Sequence, residues 1–276
     1  MKDDKSAAAY YQKLGSRIGY RLVMKRSQHF GYYDEKHNTE ESAQANYHQK
    51  FIELLRLNPG MKVLDAGCGQ GVVAVEVALK YDVFVKGITI TPHEVISAQK
   101  RAAKAGVNSK VTFSVQDYAK TNFADNTFDR IYTTESLSHA KSVKRVVQEF
   151  YRILKPGGLL VCAEYEMDYK SFDDETKRLA ELIKDHAAIY AIYQFGKGEF
   201  EDDLMGEGFK IKNVIDWTNG VKPSFDRLRR LAKPLAKIVK SIKLEHKFVN
   251  VTAAAMYANG VEDNVFAYKV YISKKQ

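Results

Sequence analysis

Apolar residues recur along the chain in two alternating patterns, which predict an ordered series of strands and helices. Short apolar runs predict five strands, at residues 62–66, 83–90, 110–115, 128–133 and 158–165. Helical periodicity between these runs predicts helices at residues 72–81, 92–105 and 142–154. Strands that alternate with helices of this length are typical of a parallel sheet with right-handed crossovers. The pattern therefore predicts an α/β fold.

Further elements are predicted on both sides of this alternation. Helices are expected at residues 5–25, 40–57, 174–193 and 199–207, and strands at residues 209–217 and 264–272. An aromatic loop is expected at residues 29–33, between the first two helices.

The composition changes this picture little, because it is that of an ordinary globular protein. Of the 276 residues, 45% are hydrophobic and 28% are charged, which excludes disordered and fibrous classes. The two cysteines, Cys68 and Cys162, cannot form a disulfide scaffold and favour a reducing, cytoplasmic compartment. We expect no signal peptide and no membrane span, because no apolar run approaches the roughly 20 residues that cross a bilayer.

The net charge of +9 is concentrated in one segment near the C-terminus. Residues 222–247 carry nine Lys or Arg and two Asp or Glu, a balance of +7. The same segment has apolar residues at helical spacing, which are Leu228, Leu231, Leu235, Ile238, Val239 and Ile242. Pro234 is expected to kink or divide this helix. Three interpretations are considered: a lid helix with a solvated lysine face, peripheral contact with an anionic membrane surface, and RNA binding. RNA binding is the least favoured, because the basic residues lie outside the predicted site.

A glycine-rich loop directly after the first predicted strand is the most informative motif. Gly67, Gly69 and Gly71 allow a tight turn and close approach of a ligand, and the following helix presents free N–H groups. Dinucleotide-binding folds use the spacing G-x-G-x-x-G, whereas Val72 occupies the place of the third glycine here. Asp65, just before the loop, is unfavourable beside a pyrophosphate but favourable beside a cation. We therefore expect a nucleoside with a positively charged, zwitterionic tail.

Four motifs in order, at residues 64–71, 114–118, 128–135 and 154–158, make the chain resemble class I S-adenosylmethionine-dependent methyltransferases. The resemblance implies this cofactor and a Rossmann-like, mostly parallel seven-stranded sheet with helices on both faces. It also implies one domain, with an N-terminal helical cap (1–57), a cofactor-binding core (58–170) and a C-terminal helical lid with the last strands (171–276). The implied cofactor-binding residues are Tyr32, Asp65, Gly67, Cys68, Gly69, Gln70, Thr89, Gln116, Asp117, Tyr118 and Thr134.

The resemblance assigns parts of the cofactor to some of these residues. The glycine loop holds the methionine part, Asp65 lies near its amino acid or sulfonium end, and Asp117 reaches the adenine. Most of the class ends the second strand with an acid that binds ribose, whereas this chain has Thr89, whose hydroxyl lacks charge assistance. This pattern and residues 29–44 resemble the branch of sterol 24-C-methyltransferases, cyclopropane or mycolic fatty acid synthases and tocopherol methyltransferases.

The end of the fourth strand, with Glu135 and His139, most resembles the sterol enzymes. A methylated alkene becomes a carbocation, which needs electron-rich rings and a base. The candidate rings are those of Tyr32, Tyr33, Tyr132 and Tyr165, and the candidate bases are Glu135 and Glu164. An oxygen or nitrogen acceptor needs a single base, for which His139 would serve. Glu166 is expected to be a solvated surface residue.

We favour C-methylation of a prenyl- or sterol-like alkene. Alternatives are O- or N-methylation of a phenol, quinone or amine, modification of a lipid alkene, and a catalytically silent cofactor-binding protein. Neither metal nor nucleic acid is expected as a partner.

Overall fold

The structure of the protein is a computed structural model that describes residues 29–249, 251–254, 256 and 265–276. The helix predicted at residues 5–25 lies outside the described residues. Within them, no helix is both long enough and apolar enough to cross a membrane.

The chain forms two compact units that interleave along the sequence. The described residues of the first unit fall within residues 29–47, Tyr165–Gly198 and Asp216–Lys269. The second unit consists of His48–Glu164, Glu199–Ile215 and Val270–Gln276. These boundaries reflect packing, whereas the predicted division into cap, core and lid reflects function, and that division stays a prediction.

A seven-stranded sheet organises the fold. Its strands are β1 (Lys62–Ala66), β2 (Phe84–Thr89), β3 (Val111–Val115), β4 (Phe128–Thr134), β5 (Leu154–Met167), β6 (Phe209–Asp216) and β7 (Phe266–Lys275). Their order is β3-β2-β1-β4-β5-β7-β6, and the pairs β1–β2, β1–β4, β2–β3 and β4–β5 are parallel. This topology confirms the predicted Rossmann-like sheet. Because the strand order reverses beside β1, ligands of such sheets bind at the carboxyl ends of β1 and its neighbours.

The helices of the described residues agree with the predicted ones to within a few residues in the core. Their bounds are α1 (Glu40–Leu54), α2 (Val72–Lys80), α3 (Pro92–Lys104), α4 (Val143–Ile153), α5 (Asp174–Ala187), α6 (Glu199–Gly206) and α7 (Thr218–Ser241). Helix α4 illustrates why the prediction worked. It buries Val143, Val146 and Phe150 at helical spacing, and the Ser142 side chain caps its first turn by accepting the Arg145 N–H.

In the C-terminal part, one helix prediction is wrong and one alternative of another is excluded. The helix expected over residues 174–193 ends at Ala187, because Ala188 adopts a left-handed φ of 54°, and only a short 3-10 turn follows at Tyr190–Tyr193. Helix α7 continues through Pro234, so the expected division at this proline is excluded, while the alternative of a kink stays a prediction. Apolar residues on both sides of Pro234, such as Phe225 and Val239, are buried, and their burial offsets the lost backbone hydrogen bond.

Glu166 is buried, so the expectation of a solvated residue is wrong. Its Oε1 lies 2.6 Å from the Lys269 Nζ, and its Oε2 accepts the Gly198 N–H. An ion pair and a backbone donor together satisfy the carboxylate, which is why β5 can bury an acid at this position.

Candidate active site

The loop between β1 and α2 depends on three glycines with positive φ. Gly67, Gly69 and Gly71 have φ angles of 86°, 48° and 72°, a region that L side chains rarely adopt. The N–H groups of Gly67 and Cys68 both donate to the Ile88 carbonyl at 2.9 Å. The loop is therefore held across the carboxyl ends of β1 and β2, where the sheet topology predicts a ligand.

Ser136, which the sequence analysis did not single out, joins several parts of this site. Its hydroxyl donates to the Ala66 carbonyl at 3.1 Å and lies 2.6 Å from the Thr133 hydroxyl. Its carbonyl accepts the Tyr118 hydroxyl at 2.8 Å, and its N–H donates to Glu164 at 2.8 Å. Ser136 therefore fixes the ends of β1, β4 and β5 and the segment after β3 relative to one another. Its position directly after Glu135 at a strand end is the only sequence signal for this role.

We expect Gly67→Ala to lower the affinity for S-adenosylmethionine by about tenfold or more. A Cβ at this position would adopt a left-handed φ and collide with the Ser136 side chain. Calorimetric titration measures the effect, and Gly67→Ala/Ser136→Ala should recover part of it by removing the collision. Gly106→Ala is the matched control, because Gly106 has φ 72° and its Cβ would meet nothing within 4 Å. Equal affinity losses in both single variants would contradict the prediction.

Asp65 is a buried carboxylate at the end of β1. Burial raises its pKa to about 7, while Tyr132 and the Ala74 N–H favour the ionised form. Tyr132 is the neighbour of Asp65 in the register of β4, and its hydroxyl has no partner of good geometry among the described residues. No cationic side chain of the described residues pairs with Asp65. A ligand cation would supply the missing charge, so this position fits a sulfonium or ammonium group.

Thr89, at the end of β2, has a carboxylate beside it that the sequence analysis missed. Its hydroxyl donates to Glu94 Oε2 at 2.7 Å, and both residues are buried. Glu94 lies in the first turn of α3, where the helix dipole favours a negative charge. The expectation that Thr89 acts without charge assistance therefore needs correction. An acid in the first turn after Pro92 is the sequence signal that could have revealed the pair.

The residues after β3 form an open polar segment. Gln116 donates its N–H to the Thr89 carbonyl at 3.0 Å and accepts the Asn122 N–H through its side chain. Asp117 is exposed and accepts the Ala119 N–H at 2.8 Å through one carboxylate oxygen. Val115 ends β3 with an exposed apolar side chain. This combination offers an apolar surface and polar groups of the kind that a base such as adenine needs.

Within the glycine loop, Cys68 and Gln70 play different local roles. The Cys68 thiol stays neutral, because burial and the nearby Asp65 raise its pKa well above the ordinary value. Gln70 is exposed, and its carbonyl accepts the Arg101 Nε at 3.1 Å. A neutral thiol and an amide are poor nucleophiles. We therefore expect Cys68 and Gln70 to contribute to the cofactor site through the backbone of the loop.

Two carboxyl groups lie near the carboxyl end of β4: Glu135 directly follows β4, and Glu164 follows the last β5 residue that pairs with it. Glu135 is half-buried and adopts a left-handed φ of 50°, a conformation that is rare for a non-glycine residue and is often found at functional sites. Thr134 and His139, both half-buried, lie close to it in the chain. Glu164 is fully buried, and its Oε1 accepts the N–H groups of Ser136 and Leu137 at 2.8 and 2.7 Å.

The two carboxyl groups differ in charge state. Burial first, and then the charge of Glu135, raises the pKa of Glu164 to about 8, so Glu164 is mostly protonated at neutral pH. Its Oε2 has no partner among the described residues. Glu164 is therefore suited to orienting the turn after β4 and to donating a proton. Glu135 is better suited than Glu164 to accept a proton at this edge of the sheet.

Tyr32 and Tyr33 belong to the first unit. The Tyr33 hydroxyl donates to Glu40 at 3.0 Å, and burial raises its pKa to about 12, so it remains a neutral phenol. The Tyr32 ring packs edge-on against Trp217 with centroids 5.1 Å apart. The predicted roles of both tyrosines stay predictions. All the other predicted site residues belong to the second unit.

The first unit also contains a cluster of aromatic rings around Tyr165. Phe30 stacks on Phe225 at 4.2 Å, and the half-buried Tyr165 meets both rings edge-on at 6.3 and 6.2 Å. Tyr165 also packs against Tyr268 at 5.5 Å. These rings form the packed interior of the first unit, and Tyr165 keeps part of its surface accessible.

The glycine loop, the buried Asp65 and the Thr89–Glu94 pair, at the carboxyl ends of adjacent parallel strands, define a class I methyltransferase. S-adenosylmethionine fits this set of groups, because its charged tail, ribose and base each have chemically matched residues. The family described as mycolic acid cyclopropane synthetase matches residues 5–189, and the chain belongs to this family. The protein is an S-adenosylmethionine-dependent methyltransferase.

Individual relatives act on different acceptors. The chain is 29% identical to 27-O-demethylrifamycin SV methyltransferase of Amycolatopsis mediterranei (strain S699) over 201 residues, which are 72% of each protein. It is 34% identical to 24-methylenesterol C-methyltransferase 3 of Arabidopsis thaliana over 194 residues, 69% of this chain and 54% of that protein. A solved geranyl diphosphate methyltransferase in complex with GPP and sinefungin shares the fold, with a TM-score of 0.76, 17% identity and 98% of both chains covered.

Proposed function

We propose that the protein transfers a methyl group from S-adenosylmethionine to a carbon atom of a prenyl- or sterol-like alkene. The observation that carries the proposal is Glu135, a half-buried acid in a left-handed conformation at the end of β4. On the neighbouring strand β5, Glu164 is mostly protonated at neutral pH, so Glu135 is left as the base. The sterol and geranyl diphosphate methyltransferases among the similar proteins support an alkene acceptor.

Cofactor binding is assigned to groups of the second unit. S-adenosylmethionine, when bound, supplies an electrophilic methyl group on a positively charged sulfur. The backbone of Gly67 and Gly69 and the Asp65 carboxylate hold the charged amino acid end, while Gln116, Asp117 and Tyr118 hold the base. Because methyl transfer is an in-line displacement, the main task of these residues is to fix the direction of approach.

The residues on the acceptor side have two tasks, which are to stabilise the positive charge of the methylated acceptor and to remove a proton from it. Transfer of the methyl group from sulfur to an alkene carbon would leave a positive charge on the acceptor. Aromatic faces stabilise such a charge, and this role stays a sequence-based prediction for Tyr33. Glu135 takes a proton from the carbon next to the cation, which restores the double bond and completes the balance of charge.

Glu94 is proposed to bind the ribose hydroxyls together with Thr89. We expect Glu94→Ala to weaken binding of S-adenosylhomocysteine about tenfold, because a charge-assisted hydrogen bond is lost. Glu94→Gln should have a smaller effect, since an amide still accepts a hydrogen bond. Glu41→Ala is the matched control, because Glu41 is an exposed acid in the first turn of α1. Unchanged affinity in Glu94→Ala would remove Glu94 from the site.

O- or N-methylation with His139 as the base is the second candidate, and the name of the rifamycin methyltransferase favours it. Incubation with methyl-labelled cofactor and prenyl, sterol, phenol and amine acceptors tests both candidates. NMR then locates the label. The proposal predicts a new carbon–methyl bond in the alkene acceptors, and label found only on oxygen or nitrogen would contradict it.

We also propose that the protein is cytoplasmic and that it contacts a membrane surface peripherally through residues 222–247. The lipophilic acceptor is the reason for this part of the proposal, because such molecules concentrate in membranes.

A further inference from the structure

Helix α7 presents three different faces. One face is buried in the first unit through Val221, Phe225, Ala232 and Val239. The next face is apolar but exposed, with Leu231, Leu235, Ile238 and Ile242 between 49% and 58% accessible. Spacings of four, three and four residues place these four side chains on one stripe, about 16 Å long. We call Leu231, Leu235, Ile238 and Ile242 the apolar stripe.

The third face of α7 is strongly basic. Residues 227–244 contain seven Lys or Arg and no Asp or Glu, and three of the seven, Arg227, Arg229 and Lys240, form ion pairs with Glu40, Asp226 and Glu175. Helical periodicity places Arg230, Lys233 and Lys237 on the side away from the apolar stripe, where all three are exposed. A helix is only about 10–12 Å across, so these charges remain within roughly a Debye length of any surface that the stripe contacts.

The apolar stripe and the basic face together favour one kind of binding partner over the others. A nucleic acid would be attracted by the basic face but offers no apolar surface to the stripe. A second copy of this chain would bring the same positive charge and be repelled. A bilayer with anionic lipids offers both an apolar interior and a negative surface, and it matches an amphipathic helix that lies in the interface.

We propose that α7 docks the protein on anionic phospholipid membranes, with the apolar stripe inserted between headgroups and the basic face held by their charge. The inference rests on the peripheral contact included in the proposed function. Vesicle binding requires neither cofactor nor acceptor, so failure of this inference is distinguishable from failure of methyl transfer.

Cosedimentation with vesicles tests the proposal. Vesicles of pure phosphatidylcholine are compared with vesicles that also contain phosphatidylglycerol, at low and at high salt. We expect binding to be at least about tenfold stronger to the anionic vesicles, and to weaken as salt increases.

Two double variants separate the contributions of the two faces. Leu235→Ser/Ile238→Ser and Lys233→Gln/Lys237→Gln should each lower vesicle binding about tenfold, and the second should also weaken its salt dependence. Leu79→Ser is the matched apolar control, because Leu79 is 58% exposed in α2. Lys100→Gln/Lys104→Gln, on α3, is the matched charge control. The lysine variants alter only exposed side chains, so they remain informative if the serine variant folds poorly.

Several outcomes would overturn the proposal. One is equal, weak binding to both kinds of vesicle. Another is a dimer of the unaltered protein that Leu235→Ser/Ile238→Ser converts to a monomer, which would assign the stripe to self-association. A third is binding of an RNA oligonucleotide that depends on Lys233 and Lys237 but not on the stripe, without binding to vesicles.

Discussion

Asp65→Asn is expected to weaken binding of S-adenosylmethionine about 50-fold, measured by calorimetric titration. Asparagine keeps the size of the side chain and an oxygen acceptor but cannot neutralise a cation. The carboxylate it replaces is buried and has no cationic partner among the described residues, so a bound cation is its natural counterpart. The effect on affinity should therefore be large although the shape of the site is unchanged.

A second ligand and a control variant sharpen this test. S-adenosylhomocysteine retains the ammonium group but has a neutral sulfur, so a smaller loss for this ligand would place Asp65 near the sulfonium. Equal losses for both ligands would place Asp65 near the ammonium. Asp202→Asn removes an exposed acid from the same unit and should change neither affinity. Unchanged affinity for both ligands in Asp65→Asn would contradict the assignment.

The pKa of Asp65 also fixes the pH dependence of cofactor binding. In the free protein this pKa is about 7, so the carboxyl is increasingly protonated as pH falls below neutrality. A bound cation favours the ionised form, so binding at low pH must release the proton. Affinity should therefore rise by up to tenfold per unit between about pH 5 and pH 7 and then level off. Asp65→Asn should flatten this rise.

Glu135→Gln is expected to reduce the rate of methyl transfer about a thousandfold while leaving cofactor affinity unchanged. Glutamine is close to isosteric with glutamate and can keep the left-handed backbone at this position, but it cannot accept the proton from the acceptor. Single-turnover rates at saturating cofactor report the chemical step, and titration with S-adenosylhomocysteine reports binding.

His139 provides the comparison for Glu135. If carbon is methylated, His139→Asn should slow turnover by less than about tenfold, because no base is needed at that position. If oxygen or nitrogen is methylated, the order of the two effects reverses. A large loss in His139→Asn with near-normal turnover in Glu135→Gln would therefore replace the first candidate function with the second.

The framework of the cofactor site could be predicted because its signals are local. The apolar run of β1, the glycines that follow it and the periodicity of α2 lie within residues 62–80. Strand order then follows from alternation with helices, since right-handed crossovers leave few alternatives. Helix bounds were less secure where the local pattern does not reveal the backbone conformation, as at Ala188, where α5 ends before its predicted limit.

The contacts that give the site its chemistry could not be predicted, because they join distant parts of the chain. Ser136 contacts Ala66 and Glu164, which are 70 and 28 residues away in sequence. The burial of Glu166 depends on Lys269 in another strand. Glu94 is the exception, because it is only five residues from Thr89, but it lies in the first turn of α3 and not at the end of β2, where most of the class has its acid.

A crystal structure of the protein with S-adenosylhomocysteine tests the central claim most directly. We predict that the ligand lies at the carboxyl ends of β1 and β2, with its charged tail at the glycine loop and Asp65. The ribose hydroxyls should contact Thr89 and Glu94, and the adenine should lie beside Asp117. A ligand bound elsewhere, or bound here without contact to Asp65 and Glu94, would contradict the account.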